Sequence, residues 1–564
     1  MNDRPWLKSY PPGVRWDAPI ELAPVQSILE TAAERFGEKP ALEFMGRRIG
    51  YAELDALASR AAAGFERLGI GPGVHVGLYL PNTPHYVIAL FGALKAGATI
   101  VSYSPLDALR ALSFKIEDSE TEVLITLDAA ALYPQAEKLL DSTRLKRLIV
   151  GAFAEFALAP EPVTAQMKAM GLIGEPRADE RIVAFADLLD NDGRYEAHPL
   201  GDLSEALAAI QYTGGTTGSP KGAMLSHANL SAACAQYTEI RTASDFEVGA
   251  ERVLCVLPLF HIFGLSAVLI ASLRLGAEVI LHARFDPAAV AKDIAEKKIT
   301  YFPGVPTMHL ALLRLPNIAA FDLSSLKRCV SGGAPLPITM QEQFQAATGR
   351  LLTEGGWGMT ETSPAGTFKP YPGPAKLGSC GIPAPRVDIK FIDAARPWRD
   401  LAFGERGEIC VKGPNVTQGY WKNPQATAAA MTADGFFRTG DVGAMDEDGF
   451  LYIVDRTKDM LLVGGFNVYP RNIEEAIYEH PAVEEVAVIG VPDAYRGETP
   501  KAFVKLKAGA PAPTLEEMKA FLRDKLGKHE MIGAMEIRDA LPHTAVGKIS
   551  KKDLRELEAA AHAG

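Results

Sequence analysis

Along most of the chain, apolar positions recur at helical spacing in some stretches and in short β-branched runs in others, and the two alternate. Residues 52–68 place Leu54, Leu57, Ala58, Ala61, Ala62, Phe65 and Leu68 on one face, which predicts an amphipathic helix. Residues 74–80 read as a strand, and 84–95 as a helix that opens on a proline and closes at Gly97. Short strands follow at 99–101 and 123–126. Such alternation predicts layered α/β structure with largely parallel sheets. Residues 158–202, rich in Pro, Ala and charge, read as an irregular surface excursion.

From residue 211 to about 400 the α/β alternation resumes. The Pro- and Gly-dense stretch 370–386 predicts a change to a smaller β-rich unit, with a strand at 407–413 and GYW at 419–421 inside it. Beyond the charged run DRTKD at 455–459, a helix at 470–479, strands at 485–489 and 501–507 and a helix at 515–525 make a compact α+β unit. The fold expected is therefore α/β: a large N-terminal domain of layered α/β subdomains plus a β-rich subdomain, joined by a hinge to a small α+β C-terminal domain. Its bounds are 1–454, hinge 455–460, and 461–564.

Composition adds little to that outline. With 564 residues the chain can bury several cores, and 48% apolar with 23% charged residues is ordinary for a globular protein. A formal charge of −11 excludes a general nucleic-acid binder, so an anionic ligand must meet locally placed Lys and Arg. Five isolated cysteines without a C-x-x-C pair read as buried thiols of a reducing compartment. The first fourteen residues hold charges and prolines rather than an apolar core, so no signal peptide is expected. Residues 253–273 carry no formal charge and imitate a membrane span. Pro258, His261 and Gly264 interrupt them, which favours a strand, a loop and a buried helix. The expectation is a cytoplasmic protein without a transmembrane segment.

Candidate chemistry begins with YTGGTTGSPKG at 212–222, between an apolar segment at 206–210 and a helix expected after His227. Glycines let successive N–H groups converge on an anion, the hydroxyls add donors and Lys221 adds a positive charge, so the stretch has the makings of a phosphate cradle. It is not a Walker loop, because Pro220 precedes the lysine and Gly222 follows it. Further on, GGWGMTET at 355–362 offers glycines around an indole that can stack on a base, and oxygens at Thr360 and Glu361 for a hard cation. RTGD at 438–441 ends a Gly-containing turn in a carboxylate, and LPHTAVGK at 541–548 presents a lysine from a Gly-containing loop.

These motifs, in this order, resemble those of the adenylate-forming enzymes: acyl-CoA synthetases, aryl-CoA ligases, adenylation domains and luciferases. The resemblance covers nearly the whole chain and implies two half-reactions. A small-molecule carboxylic acid and ATP give an acyl-adenylate and pyrophosphate, and the thiol of coenzyme A then takes the acyl group. It implies ATP contacts at Thr213, Gly214, Gly215, Thr216, Thr217, Gly218 and Lys221. It also implies an adenine wall at Gly333, Ala334 and Pro335, continued by Gly356, Trp357, Gly358, Met359 and Thr360. Asp441 and Arg456 would meet the ribose or phosphate, with Ile453 nearby. Mg²⁺ would be held by Glu361 and Thr213. Lys548 would bridge the carboxylate and the α-phosphate, Lys458 would be the hinge, and Gly464, Gly465 and Phe466 would line the pantetheine path. Phe260, His261 and Gly332 would border the acyl site. Where the family usually has tyrosine this chain has Trp357, which keeps the aromatic face without the hydroxyl.

The run from Val454 to Pro470 looks like that of bacterial medium- and long-chain fatty-acid–CoA ligases, with dicarboxylate (pimelate-type) ligases similar there. A dicarboxylate would need a cation deep in the acyl site, for which His309 or an arginine is the candidate. No carrier segment accompanies the motifs, which disfavours a peptide-synthetase module. A non-catalytic nucleotide or acyl sensor is the alternative from another class, and the joint presence of Lys221, Glu361, Asp441 and Lys548 argues against it. Acetylation of Lys548, which would remove its charge, and a homodimer complete the expectations.

Overall fold

The computed structural model describes the chain except residues 1–3, 214–219, 335, 372, 374–375, 394–395, 457–458, 464–465, 494–495, 545–546 and 563–564. For 456, 462, 466, 467 and 562 it describes the backbone alone. Two seven-stranded sheets form the bulk of the large unit. In the first, the strands Ile182–Ala184, Arg147–Gly151, Thr121–Leu127, His75–Leu78, Thr99–Ser102 and Leu207–Thr213 run parallel, and Lys221–Ser226 closes the edge antiparallel. In the second, Leu352–Glu354, Arg328–Ser331, Tyr301–Gly304, Arg252–Cys255, Glu278–Leu281 and Pro40–Phe44 run parallel, with Arg47–Gly50 antiparallel at the edge.

The helices Val25–Phe36, Tyr51–Arg67, Pro84–Lys95 and His227–Thr242 lie between the sheets and share one core with the inward faces of both. Helix Pro84–Lys95 is buried along its whole length, as a helix sandwiched by two sheets must be. Outer helices cover the far face of each sheet, around Leu112, Ile116, Leu139 and Leu140 on one side and Val290, Ile294, Leu312 and Phe344 on the other. The expected layering is thus present.

The excursion expected at 158–202 is more ordered than its composition suggested. Ile182–Ala184 adds an edge strand, and Phe185 and Leu188 are buried behind it. A three-residue strand is too short to leave a period in the sequence. Residues 388–456 form an antiparallel five-stranded sheet, as the Pro/Gly-rich stretch before them foretold. The last unit is a sheet of Leu461–Val463, Phe466–Val468, Val483–Asp493, Gly497–Leu506 and Ala534–Ile537, flanked by Pro470–Tyr478, Leu515–Leu522 and Lys551–His562, with its own core around Ile473, Val488 and Val504. Residues 253–273 contain a strand end, a loop, the eight-residue π-helix Phe263–Ile270 and one α-turn. Among the described residues no helix is long and apolar enough to cross a membrane.

Candidate active site

The residues on either side of the expected phosphate cradle form neighbouring strands of the first sheet. Leu207–Thr213 pairs antiparallel with Lys221–Ser226, and Thr213 lies opposite Lys221. Helix His227–Thr242 follows directly, its first turn closed by Ser226 and Asn229 in a reciprocal capping box. Gly214, Gly215, Thr216, Thr217 and Gly218 lie outside the described residues, as do Pro335, Lys458, Gly464 and Gly465.

Strand Lys221–Ser226 packs against the turn Thr360–Thr362 that carries Glu361. The Glu361 carboxylate is buried and accepts a hydrogen bond from the Tyr420 hydroxyl at 2.9 Å. The Lys221 ammonium sits 5.0 Å from the centroid of the same tyrosine ring. Among the described residues no three His, Cys, Asp or Glu side chains could hold a metal by themselves. One carboxylate, with the Thr213 hydroxyl on the adjoining hairpin, suits Mg²⁺, which characteristically binds through one or two carboxylates and completes its shell with phosphate oxygens and water.

Trp357 is fastened from both sides. Its backbone N–H donates to Thr367 Oγ1 at 2.8 Å, and its carbonyl accepts from the Gly366 and Thr367 amides at 3.1 and 2.8 Å. A Cβ at Gly358 would stand 1.5 Å from the Pro364 carbonyl oxygen, so only glycine fits beside the tryptophan. The indole N–H donates to Asp441 Oδ2 at 2.8 Å, and both groups are buried. Tryptophan at this position thus offers a hydrogen-bond donor of its own, whose partner the sequence alone could not reveal. Asp441 pairs across the sheet with Arg456, and Ile453 with Gly443.

Lys548 reaches the Gly333 backbone from the C-terminal unit. Its loop is closed by the Thr544 amide donating to the Lys548 carbonyl at 2.7 Å, and by the Lys548 amide donating to Thr544 Oγ1 at 3.2 Å. Thr307 Oγ1 donates to the Gly547 carbonyl at 3.3 Å across the two units. Gly333 has φ +76°, and a Cβ there would lie 3.2 Å from Lys548 Cε and 3.7 Å from Nζ, so the lysine side chain lies over a bare backbone. Elsewhere at the interface Arg314 pairs with Glu484 of the C-terminal unit.

His261 borders the same place. Burial, aided by the Lys548 charge, lowers its pKa to about 3, so the imidazole is neutral at ordinary pH. Its Nδ1 accepts from the Phe263 amide at 3.2 Å. The Phe260 carbonyl accepts from Gln211 Nε2 at 2.6 Å, fastening this segment to the phosphate-side strand. Phe263 opens the π-helix and covers Gly332, where a Cβ would meet its ring at 2.6 Å. From Gly264 to Ile270 that helix is buried and apolar but for Ser266.

Neither His309, the histidine considered for a second carboxylate, nor the buried Arg241 stands ready for one. His309 is buried between Phe302 and Phe344, and desolvation lowers its pKa to about 4. Buried Arg241 donates to the Ala267 carbonyl at 2.5 Å and to Ser272 Oγ at 3.3 Å, beneath the rings of Tyr237, Phe246 and Tyr301. Sequence reading passed over Tyr420, Thr307 and Gln211. Only the GYW string at 419–421 marked any of them, and there as part of the β-rich unit.

A fold of two largely parallel sheets with a C-terminal unit whose lysine, Lys548, lies over Gly333 is that of an adenylate-forming enzyme. The family described as AMP-binding enzyme matches residues 29–421, and the AMP-binding enzyme C-terminal domain matches 472–548. The chain belongs to this family. It is 40% identical to a long-chain-fatty-acid–CoA ligase of Bacillus subtilis (strain 168), over 100% of this chain and 99% of that one. The crystal structure of ATP-bound MatB from Rhodopseudomonas palustris superposes with a TM-score of 0.81 at 29% identity, covering 94% of this chain and 98% of that one. Apo MatB superposes at 0.73, with 28% identity and 95% and 99% covered.

Proposed function

We propose that the chain is an AMP-forming ligase that joins a long-chain fatty acid to coenzyme A. The observation that carries the reading is Lys548 lying over Gly333 with its charge acting on a neutral His261, while Trp357 and Asp441 are joined by a buried hydrogen bond. In the first half-reaction a carboxylate oxygen attacks the α-phosphorus of ATP, and the bond to pyrophosphate breaks. The Lys548 ammonium lies between the two anions and offsets their repulsion, while Lys221 faces the phosphates from the hairpin. Asp441 accepts from the ribose hydroxyls. Glu361 and Thr213 would hold Mg²⁺, which would supply neutralising charge to the phosphates.

In the second half-reaction the thiolate of coenzyme A attacks the acyl carbonyl carbon, the C–S bond forms, and AMP leaves with the C–O electron pair. The division into 1–454, hinge 455–460 and 461–564 follows from this sequence of steps. Lys548 withdraws as the C-terminal unit turns about Lys458, and Gly464, Gly465 and Phe466 take the pantetheine arm.

A monocarboxylic chain is favoured over a dicarboxylate. His309 is uncharged, the Arg241 guanidinium is already engaged, and the helix beside His261 is apolar. The long-chain specificity of the Bacillus relative points the same way. A cytoplasmic location is supported by five buried free thiols. Homodimerisation and Lys548 acetylation remain parts of the proposal, to be read by light scattering and by mass spectrometry with assay of the modified protein. The deciding test is pyrophosphate release with C4–C18 fatty acids, C6–C10 dicarboxylates and aryl acids, with and without coenzyme A. Turnover that requires acid and coenzyme A and collapses in Lys548→Ala is expected. Silence across the panel would favour a sensor.

A further inference from the structure

Tyr420 belongs to none of the motifs that carried the sequence reading, yet its side chain touches both charges that would face the phosphates. Its hydroxyl donates to Glu361 Oε1 at 2.9 Å, and its ring lies under the Lys221 ammonium at 5.0 Å. Tyrosine and carboxylate are both buried, at 9% and 5% exposure.

The segment that carries Tyr420 is tied to both neighbours. The Trp421 amide donates to the Gly222 carbonyl at 2.8 Å, and the Met224 amide to the Gly419 carbonyl at 3.0 Å, which joins it to the Lys221 strand. The Thr417 amide donates to the Glu361 carbonyl at 2.7 Å, which joins it to the carboxylate's own turn. The Tyr420 amide donates to Thr427 Oγ1 at 3.0 Å. Such a ring has little freedom to move, and a group held on a rigid frame can orient a neighbour.

We propose that Tyr420 is a positioning residue: its hydroxyl fixes the plane of the Glu361 carboxylate for the metal, and its ring holds Lys221 toward the same phosphates. This rests on the reading of Glu361 as the metal-bearing carboxylate. A tyrosine that merely filled space would act through its ring alone. One that orients Glu361 acts through its hydroxyl, and outer partners of metal-binding carboxylates typically carry about 10- to 100-fold in metal affinity.

The test is Mn²⁺ binding to the full-length chain, read by electron paramagnetic resonance with saturating α,β-methylene-ATP, which cannot react. Binding of the same analogue without metal is read by calorimetry. Tyr420→Phe keeps the ring and should weaken Mn²⁺ about tenfold while leaving metal-free analogue binding within twofold. Tyr420→Leu should show the same Mn²⁺ loss and also weaken the metal-free analogue, because Lys221 loses its ring. Adding Tyr420→Phe to Glu361→Gln should cost nothing further, since the hydroxyl acts only through that carboxylate. Unchanged Mn²⁺ affinity in Tyr420→Phe would overturn the proposal, as would a further tenfold loss in the double variant. No Mn²⁺ binding by the wild-type chain beyond that of free nucleotide would overturn the reading of Glu361 beneath it. Neither acid nor coenzyme A enters the assay, so a wrong acyl substrate would leave this result untouched.

Discussion

Changing Trp357 to phenylalanine separates two things that one side chain does. The ring face that packs on Gly366 stays, and the N–H that donates to Asp441 at 2.8 Å goes. A buried hydrogen bond to a carboxylate is worth about 1.5–3 kcal/mol. Asp441 keeps another partner, so the loss should fall at the lower end of that range. About 1.5 kcal/mol corresponds to roughly a tenfold rise in KM for ATP, with kcat changed less. If the loss acts through Asp441 and the ribose, 2′,3′-dideoxy-ATP should reveal it. The wild-type chain should use that nucleotide poorly, and Trp357→Phe should be hardly worse. Steady-state pyrophosphate release with both nucleotides reads the two values. An equal tenfold penalty on ATP and dideoxy-ATP would refute the ribose route. A KM for ATP within twofold of wild type would refute the importance of the hydrogen bond itself.

Three further predictions concern the docked C-terminal unit and the buried histidines. Arg314→Ala removes the half-exposed guanidinium partner of a largely buried Glu484, which keeps Lys505, so the loss should stay near the roughly 0–1 kcal/mol of exposed pairs. Acyl-adenylate formation should therefore slow about two- to fivefold, while thioester formation from supplied acyl-adenylate stays unchanged; equal slowing of both would sink the idea. Gly333→Ala adds strain at φ +76° and a Cβ 3.2 Å from Lys548 Cε. The same pair of assays should show about a tenfold loss confined to adenylation.

His227 and His309 have folded pKa values lowered to about 4 by burial, below the ordinary 6.5. The folded state therefore binds fewer protons than the unfolded chain between about pH 4 and 6.5. Their contribution to stability is fully present above pH 6.5 and is lost as pH falls through that window. Denaturant melts should show His309→Leu losing stability less steeply on acidification, by about 1.4 kcal/mol per pH unit. Parallel slopes would contradict a neutral His309.

Much of this molecule could be read before it was folded, because much of it is local. Helix 84–95 and the strands around it follow from apolar period, proline and glycine, which act over a few residues. Glycine at 358 and 333 is demanded by backbone approach and by φ, so those positions announce themselves in the sequence. Other features belong to the packed chain. Strand Ile182–Ala184 is too short for a period, and the π-helix has the same composition as an α-helix. The hairpin at Lys221 arises because its strand finds an open edge of the first sheet.

Most of what assembles the cleft is of the second kind. Trp357 and Asp441 stand 84 residues apart, and Glu361 and Tyr420 stand 59 apart. The sequence by itself determined which residues have charge, hydroxyl or bare backbone to offer. Only the tertiary structure decided which donor faces which carboxylate, and that Lys548 lies over Gly333 rather than in water. Hydrogen bonds and ion contacts act over a few ångströms of space, and distance along the chain places no mark on them.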